Sequence, residues 1–382
     1  MSGEGALLLA CARRFVQQDQ SDTVRAALRD DLDWPEVLRM AGHHSMMPLL
    51  YWVLELESPN STPQELRDRF QDHARCNLLQ TAELMRVLDL LAQNRIPAVP
   101  IKGPVLARWA YGNLALRSFL DLDLLIRREY VPLAKEVLTK EGYRLKSDIH
   151  WSSASAYLRS KDSQLSFTRA ENGVSVDLHW RLLPDYFAPS FDGGEVWENL
   201  VSVSLGGRDV PSLSPEHLLL FLCAHGSKHR WECLGWICDV ALVLKRVEVD
   251  WVRLLLLARQ AHIERMVLLG LRLASDLFDS GLPANVRDRI DADSAVVALA
   301  SEVRRTLLTI HTGARSQVDK GLINLRMLER LLDKLRFLRG LLITPTEAEW
   351  RDLRLPPALY LLYYPYRLAR LVGKRTSAST SL

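Results

Sequence analysis

Arg117-Ser118-Phe119-Leu120-Asp121-Leu122-Asp123-Leu124-Leu125-Ile126 is the stretch from which the rest of the chain is read. Acidic and apolar residues alternate here before the run turns fully apolar. Side chains alternate faces along a strand, so Asp121 and Asp123 share one face. The same alternation sends Leu120, Leu122 and Leu124 to the other face, toward a core. Two carboxylates side by side on a rigid strand repel each other unless a cation lies between them. Hard divalent cations prefer oxygen ligands, which makes the pair a candidate metal site. The competing reading is a half-buried strand whose acids simply face water.

Composition narrows the setting. The chain has 382 residues, 48% hydrophobic and 25% charged, an ordinary globular balance long enough for two or three domains. A net charge of +3 gives no overall case for a nucleic-acid partner. Five scattered cysteines (Cys11, Cys76, Cys223, Cys233, Cys238) read as reduced thiols of a cytoplasmic protein rather than a disulfide framework. The first residues, MSGEGALLLACARRF, have the wrong charge order for a secretory signal. No uncharged apolar run reaches the ~18–20 residues a bilayer requires.

Helical spacing covers residues 4–56, with His43-His44 expected as polar residues at a helix–helix contact. The run ESPNSTPQE is a turn, and Thr62-Pro63 opens a long helix from Pro63 to Asn94. Residues 95–101 fit a short strand that ends at Lys102-Gly103-Pro104, and a helix over 104–111 leads to the acidic strand, expected at 117–126. A helix over 131–141 stops at Gly142, a strand begins at Tyr143, and residues 148–163 read as a polar, mobile loop. Residues 165–168 and 174–180 then pair across Glu171-Asn172-Gly173. An irregular segment follows to about 213, and five helical stretches complete the chain: 216–247, 250–280, 284–314, 320–340 and 356–372. The run Ala358 to Arg375 reads as a terminal helix packing its Leu/Tyr face on the domain, and Thr376 to Leu382 as disordered tail.

A second acid stands out in the strand Val174 to Trp180. Asp177 shares a face there with Ser175 and His179, opposite Val176 and Leu178. Two acids on one strand and one on a nearby strand can form a three-carboxylate cage of the kind in-line nucleotidyl transfer requires.

These residues carry a family resemblance. Ile101-Lys102-Gly103, Tyr111-Gly112, Leu116-Arg117 through Asp121-Leu122-Asp123-Leu124-Leu125, and Val176-Asp177-Leu178-His179-Trp180 resemble an uncharacterised bacterial nucleotidyltransferase family. The likeness continues in Ala41-x-x-His44…Pro48-Leu49-Leu50, in His225-x-x-x-His229-Arg230-Trp231…Asp239 and in Pro345-Thr346…Trp350. It implies an α+β fold, mostly α overall, in which a small mixed β-sheet core of polymerase-β type is embedded in N- and C-terminal helical regions. The expected division is 1–75 N-terminal helical region, 76–213 core, 214–375 C-terminal helical domain and 376–382 tail. The implied reaction moves NMP from an NTP, with ATP expected, to a small-molecule, sugar or peptide acceptor and releases pyrophosphate. The implied cofactor is Mg²⁺, with Mn²⁺ as alternative. Asp121, Asp123 and Asp177 are the expected catalytic and metal-binding residues. Acceptors in polysaccharide or modified-peptide biosynthesis fit the family.

One departure affects the phosphates. The wider superfamily grips triphosphate with a Gly-Ser or Gly-Gly pair, whereas Lys102-Gly103-Pro104 stands here and Pro104 donates no N–H. The expected nucleotide-binding residues are therefore Lys102, Gly103, Arg117 and Ser118, helped by a helix N-terminus. His225, His229, Glu232, Trp236 and Asp239 fall on one face if the helix survives Gly226. With His179 and Arg230, they are candidates for a cleft wall or a buried hydrogen-bonded network. No Cys-x-x-Cys accompanies them, so they match no standard zinc site. The competing functions are a D-x-D glycosyltransferase using a nucleotide sugar, which the helical chain start disfavours, and a non-catalytic nucleotide-binding module.

Overall fold

A computed structural model describes residues 2–18, 21–29, 31–146, 163–188, 194–309, 317–342, 344, 349, 352–353 and 355–378. The sequence-based readings for 148–162, Pro345-Thr346, Trp350 and 379–382 lie outside the described residues.

Four helices open the chain: α1 (Gly3–Gln17), α2 (Ser21–Ala27), α3 (Trp34–His43) and α4 (Met47–Glu57). The 30-residue helix α5 (Gln64–Gln93) follows, close to the span its spacing predicts. The core alternates β1 (Ala98–Pro100), the short α6 (Pro104–Leu106) continued by a wide turn over Ala107–Tyr111, β2 (Asp121–Ile126) and α7 (Val131–Lys140). It closes with β3 (Tyr143–Leu145), β4 (Gln164–Arg169) and β5 (Ser175–His179). The strand order is β1-β2-β5-β4-β3, with β2 and β5 parallel and every other pair antiparallel. Asn172 makes the β4–β5 turn by accepting the Val174 N–H at 3.0 Å, while Gly173 takes φ +73°.

One sheet face is apolar. Leu122, Leu124, Leu165, Phe167, Val176 and Leu178 are buried against Leu84, Val87 and Leu91 of α5 and Ala134 and Leu138 of α7. The other face carries the acids. This division follows from the period-2 pattern on three adjacent strands, and burial of the apolar set fixes the register.

Leu120 breaks the expected alternation, standing 86% exposed because β2 starts only at Asp121. The preceding residues are tied to α5 instead. The Asn77 side-chain amide donates to the Leu114 and Arg117 carbonyls at 2.7 and 3.0 Å, and Gln80 donates to the Phe119 carbonyl at 3.2 Å. These carbonyls lack strand partners, so buried amides from the helix satisfy them.

The segment expected to be irregular up to 213 contains α8 (Gly194–Glu198) and a hairpin of β6 (Val201–Leu205) and β7 (Arg208–Ser212). Val203, Leu205 and Val210 are buried in the same core as the sheet, and Gly206-Gly207, both at positive φ, make the turn.

The expected helix 216–247 is two helices, α9 (Pro215–Lys228) and α10 (Leu234–Arg246). Arg230 and Trp231 adopt φ +59° and +54°, and the Trp231 N–H returns to the Gly226 carbonyl at 2.8 Å. The reversal buries the Trp231 indole completely against Gly226 and Gly270, where a Cβ would lie 2.5 and 3.0 Å from the ring. Helix α10 restarts on His44, whose carbonyl accepts the Gly235 N–H at 3.0 Å and whose Nδ1 accepts the Leu234 N–H at 3.4 Å.

The remaining stretches also divide, into α11 (Trp251–Gln260), α12 (Glu264–Phe278), α13 (Ala284–Ala292), α14 (Ser294–Leu307), α15 (Gln317–Met327) and α16 (Leu331–Leu342), before the last helix α17 (Tyr363–Ala378). His262 at φ +59° separates α11 from α12, and Asp293 caps α14 by accepting the Ala295 and Val296 N–H groups. Helices from both ends of the chain share one core, in which Leu7, Leu8, Leu50 and Leu54 pack with Leu234, Ile237, Leu269 and Leu273. Among the described residues, no helix is long and apolar enough to cross a membrane.

Candidate active site

The parallel β2–β5 ladder sets Asp123 beside Asp177, Asp121 beside Ser175 and Leu125 beside His179. On the far side of β5, Ser166 opposes Asp177 and Gln164 opposes His179. One face of three strands thus carries Asp121, Asp123, Asp177, His179, Gln164 and Ser166. The C-terminal half of α9 stands opposite. Between them lies a cavity of about 550 Å³ lined by Lys102, Asp121, Asp123, Asp177 and His179 on one side and by Phe221, His225, Lys228 and His229 on the other.

Asp123 is the centre of the polar network. Its Oδ1 accepts from His179 Nε2 at 2.9 Å, and its Oδ2 lies 2.8 Å from Lys102 Nζ. The same ammonium is 3.5 Å from Asp121 Oδ1. Burial opposes the Asp123 charge, but Lys102 and then His179 outweigh it and hold the carboxyl far below its usual range. Lys102 responds in kind: burial disfavours its charge, yet Asp123 and Asp121 keep it above the usual lysine value.

Asp177 behaves oppositely. Burial pushes its carboxyl up, the His179 charge pulls it down, and the negative charges of Asp123 and Asp121 add to the rise. Gln164 Nε2 donates to its Oδ2 at 3.1 Å, while its buried Oδ1 has no hydrogen-bond partner among the described residues.

Asp123, Asp177 and His179 offer three ligand atoms within 4.8 Å of one another, so they can hold a metal ion. Two carboxylates, one imidazole and a buried oxygen without a donor fit a divalent cation. Asp121 extends the oxygen set from the same strand face. His179, expected only as cleft wall, stands within this group and donates to Asp123, and its two-residue spacing from Asp177 was the sequence signal for a shared face.

The histidines of α9 are held neutral. Burial and then the Lys102 charge lower His225 well below its ordinary value, and burial with the neighbouring Lys228 and Arg230 charges pushes His229 down to about 4. Their rings pack 4.7 Å apart between centroids, and each lies within 5.5 Å of the Trp236 ring centroid across the helix break. The cluster expected on one helix is therefore assembled from two.

Several expected site residues lie elsewhere. Arg117 faces Asp239, donating from Nε at 2.8 Å and from Nη2 at 2.8 Å, and Tyr111 Oη donates to the same carboxylate at 2.7 Å. This buried group joins the approach to β2 to helix α10, so neither Arg117 nor Asp239 lines the cavity. Arg230 pairs with Glu232 at 2.9 Å. Ser118 is half-buried and absent from the cavity lining. Gly103 takes φ +66° and ψ −130°, a conformation that glycine alone adopts readily, and so turns the chain from β1 into α6. The turn Pro104–Leu106 continues helically through Ala107–Tyr111, so the helix expected over 104–111 forms, but Pro104 at its start offers phosphate no N–H. Gln164, Ser166, Lys146 and Arg181, which were not expected at the site, line the cavity. The alternation of Gln164 and Ser166 with buried Leu165 and Phe167 was the available signal.

The sequence profile of a family described as uncharacterised nucleotidyltransferase matches residues 30–279, a span that contains the whole sheet and both cavity walls. Curated proteins and solved structures give no match.

Proposed function

The chain belongs to the uncharacterised nucleotidyltransferase family, and from that premise we propose that it transfers NMP from an NTP to a hydroxyl or similar group of an acceptor. Pyrophosphate is the leaving product, Mg²⁺ the cofactor and ATP the expected donor. The observation that carries this reading is the parallel register of Asp123 on Asp177, with Asp121 on the same face and a cavity in front of them. These three acids would hold divalent cations, which would supply positive charge for the triphosphate and the leaving pyrophosphate.

In the proposed reaction the acceptor oxygen attacks the α-phosphorus, and the bond from that phosphorus to the bridging oxygen breaks. Bound divalent cations would lower the pKa of the attacking hydroxyl and neutralise charge on the triphosphate. Asp123, with its carboxyl held ionised, keeps a permanent negative charge at the centre. Asp177, beside Asp123 on the adjacent strand and with one oxygen without a hydrogen-bond donor among the described residues, takes the hydroxyl proton. His179 donates to Asp123 and fixes its orientation. Lys102, Lys146, Arg181 and Lys228 surround the cavity and supply positive charge for phosphate oxygens in place of a Gly-Ser grip. A sugar, peptide or small-molecule acceptor of polysaccharide or modified-peptide biosynthesis completes the reading.

The test is to incubate the full chain with Mg²⁺, each α-labelled NTP and candidate acceptors, and to follow pyrophosphate and labelled product. The reading requires label transfer that falls at least on the order of 10²-fold in Asp121→Ala and Asp123→Ala. Transfer of a sugar from a nucleotide sugar, or label transfer indifferent to both substitutions, refutes it.

A further inference from the structure

We propose that Lys102 is an exchangeable internal counter-ion of the acidic centre: a divalent cation displaces its ammonium from Asp123, and the freed lysine then takes a phosphate oxygen of the nucleotide. The inference rests on the metal-centre reading above and adds an order of events to it.

The geometry brings the ammonium and an incoming cation to the same oxygens. Asp123 Oδ1 accepts from His179 Nε2 at 2.9 Å, and Oδ2, which takes no hydrogen bond among the described residues, forms an ion pair 2.8 Å from Lys102 Nζ. Lys102 also approaches Asp121 Oδ1 at 3.5 Å, so it spans both acids of β2. A cation coordinated by Asp121 and Asp123 meets the same oxygens, and an ammonium and a divalent ion in contact with one carboxylate oxygen repel strongly. The ammonium therefore yields. Asp177 Oδ1, likewise without a hydrogen-bond donor among the described residues, stands on the adjacent strand to complete the new coordination.

Lys102 is built to move. Its carbonyl side leads into Gly103, whose left-handed φ of +66° sets the lysine at the rim of the sheet. Four methylenes separate its charge from the backbone, and a lysine donates equally well to carboxylate or phosphate. Its side chain lines the cavity together with Lys228, His225 and His229. An ammonium expelled from Asp123 therefore stays within the space that a polyphosphate chain would occupy. Metal and nucleotide are linked through one residue: the metal alone binds against the lysine, and the nucleotide offers the displaced lysine a new partner. Such linkage appears as positive coupling between the two ligands.

The experiment uses the full chain and Mn²⁺ alone, with free Mn²⁺ followed by electron paramagnetic resonance. Lys102→Met is expected to bind Mn²⁺ more tightly than wild type, on the order of tenfold. Lys102→Arg, which keeps the positive charge, is expected to stay near wild type and guards against a general packing effect. Pulse acetylation read by mass spectrometry supplies a second observable. Lys102 should become several-fold more reactive when Mn²⁺ is added, and protected again when a non-hydrolysable NTP follows. If Lys102→Met binds Mn²⁺ no more tightly than wild type while Asp123→Asn abolishes binding, the exchange is overturned and the metal centre stands. If wild type and Asp123→Asn bind alike, the metal centre itself fails, and the exchange fails with it.

Discussion

Replacing Asp239 by Asn tests whether the approach to the acidic strand is held by one buried ion pair. The Asp239 side chain is 3% exposed and that of Arg117 9%, so neither charge is appreciably screened by water. Asp239 accepts three hydrogen bonds, two from the Arg117 guanidinium and one from Tyr111. Asparagine fits the space and can still accept from Tyr111 through its carbonyl oxygen. Its amide nitrogen, however, sets a donor against Arg117 Nη2 and leaves the guanidinium buried without a counter-charge. Breaking one side of a buried pair costs about 3–5 kcal/mol. With a urea slope of roughly 3 kcal/mol per molar, the unfolding midpoint should fall by about 1–2 M. Tryptophan fluorescence is a suitable signal, since Trp231 and Trp236 flank the start of α10. The double variant Arg117→Met/Asp239→Leu removes both charges and should recover most of the loss, because well-packed apolar residues commonly replace buried pairs without penalty. A single variant that unfolds within about 0.5 kcal/mol of wild type would refute the reasoning. So would a double variant no more stable than Asp239→Asn.

Other expectations follow from the same packing and charges. Gly226→Ala should destabilise by about 1–3 kcal/mol in thermal or urea unfolding, because its Cβ would stand 2.5 Å from the rigid, fully buried Trp231 ring. His44, His217 and His229 are each pushed from 6.5 down to about 4, chiefly by burial. Unfolded imidazoles accept protons that the folded ones refuse, so their contribution is complete above pH 6.5 and is lost as pH falls toward 4. Urea midpoints across that interval should drop steadily, and His44→Gln should shallow the slope. Asp177 carries the opposite sign: its raised carboxyl disfavours the charged fold as pH rises above the ordinary aspartate value. Asp177→Asn should therefore be more stable than wild type at pH 7 in the absence of metal, yet bind Mn²⁺ more weakly.

The short-range parts of this architecture are legible in the sequence. Alternation assigns Asp121 and Asp123 to one face and Asp177 and His179 to another strand's equivalent face, and the Asn172-Gly173 pair marks the turn that delivers β5. What alternation cannot supply is where a strand begins. Leu120 obeys the pattern and is nevertheless exposed, because Asn77 and Gln80, some forty residues away, hold the preceding carbonyls on α5. The helix break after Lys228 has no local breaker beyond Gly226. It arises from the fit of the Trp231 ring into the space over Gly226 and Gly270, a long-range contact. The β6–β7 hairpin was within reach of inspection, since Val201, Val203, Leu205 and Val210 flank Gly206-Gly207 with period-2 spacing.

Among the site residues, Lys102 and the three acids belong together in both sequence and structure. Arg117 and Asp239 belong together too, but with each other. Asp239 is legible as a member of a buried network and Arg117 as an ion-pair partner or a phosphate ligand, but a partner more than a hundred residues distant leaves no trace in local spacing, so neither could be matched with the other. Alternation with Leu165 and Phe167 gives Gln164 and Ser166 a polar face, and the β4–β5 register is what sets that face beside Asp177 and His179.

The most direct test of the central claim is a crystal structure of the full chain with Mn²⁺ and a non-hydrolysable NTP, the metal located by its anomalous scattering. Mn²⁺ is expected on Asp121, Asp123 and Asp177, with the triphosphate in the cavity between the sheet and α9 and Lys102 turned from Asp123 toward a phosphate. Mn²⁺ bound away from these acids, or a nucleotide seated outside that cavity, would contradict it.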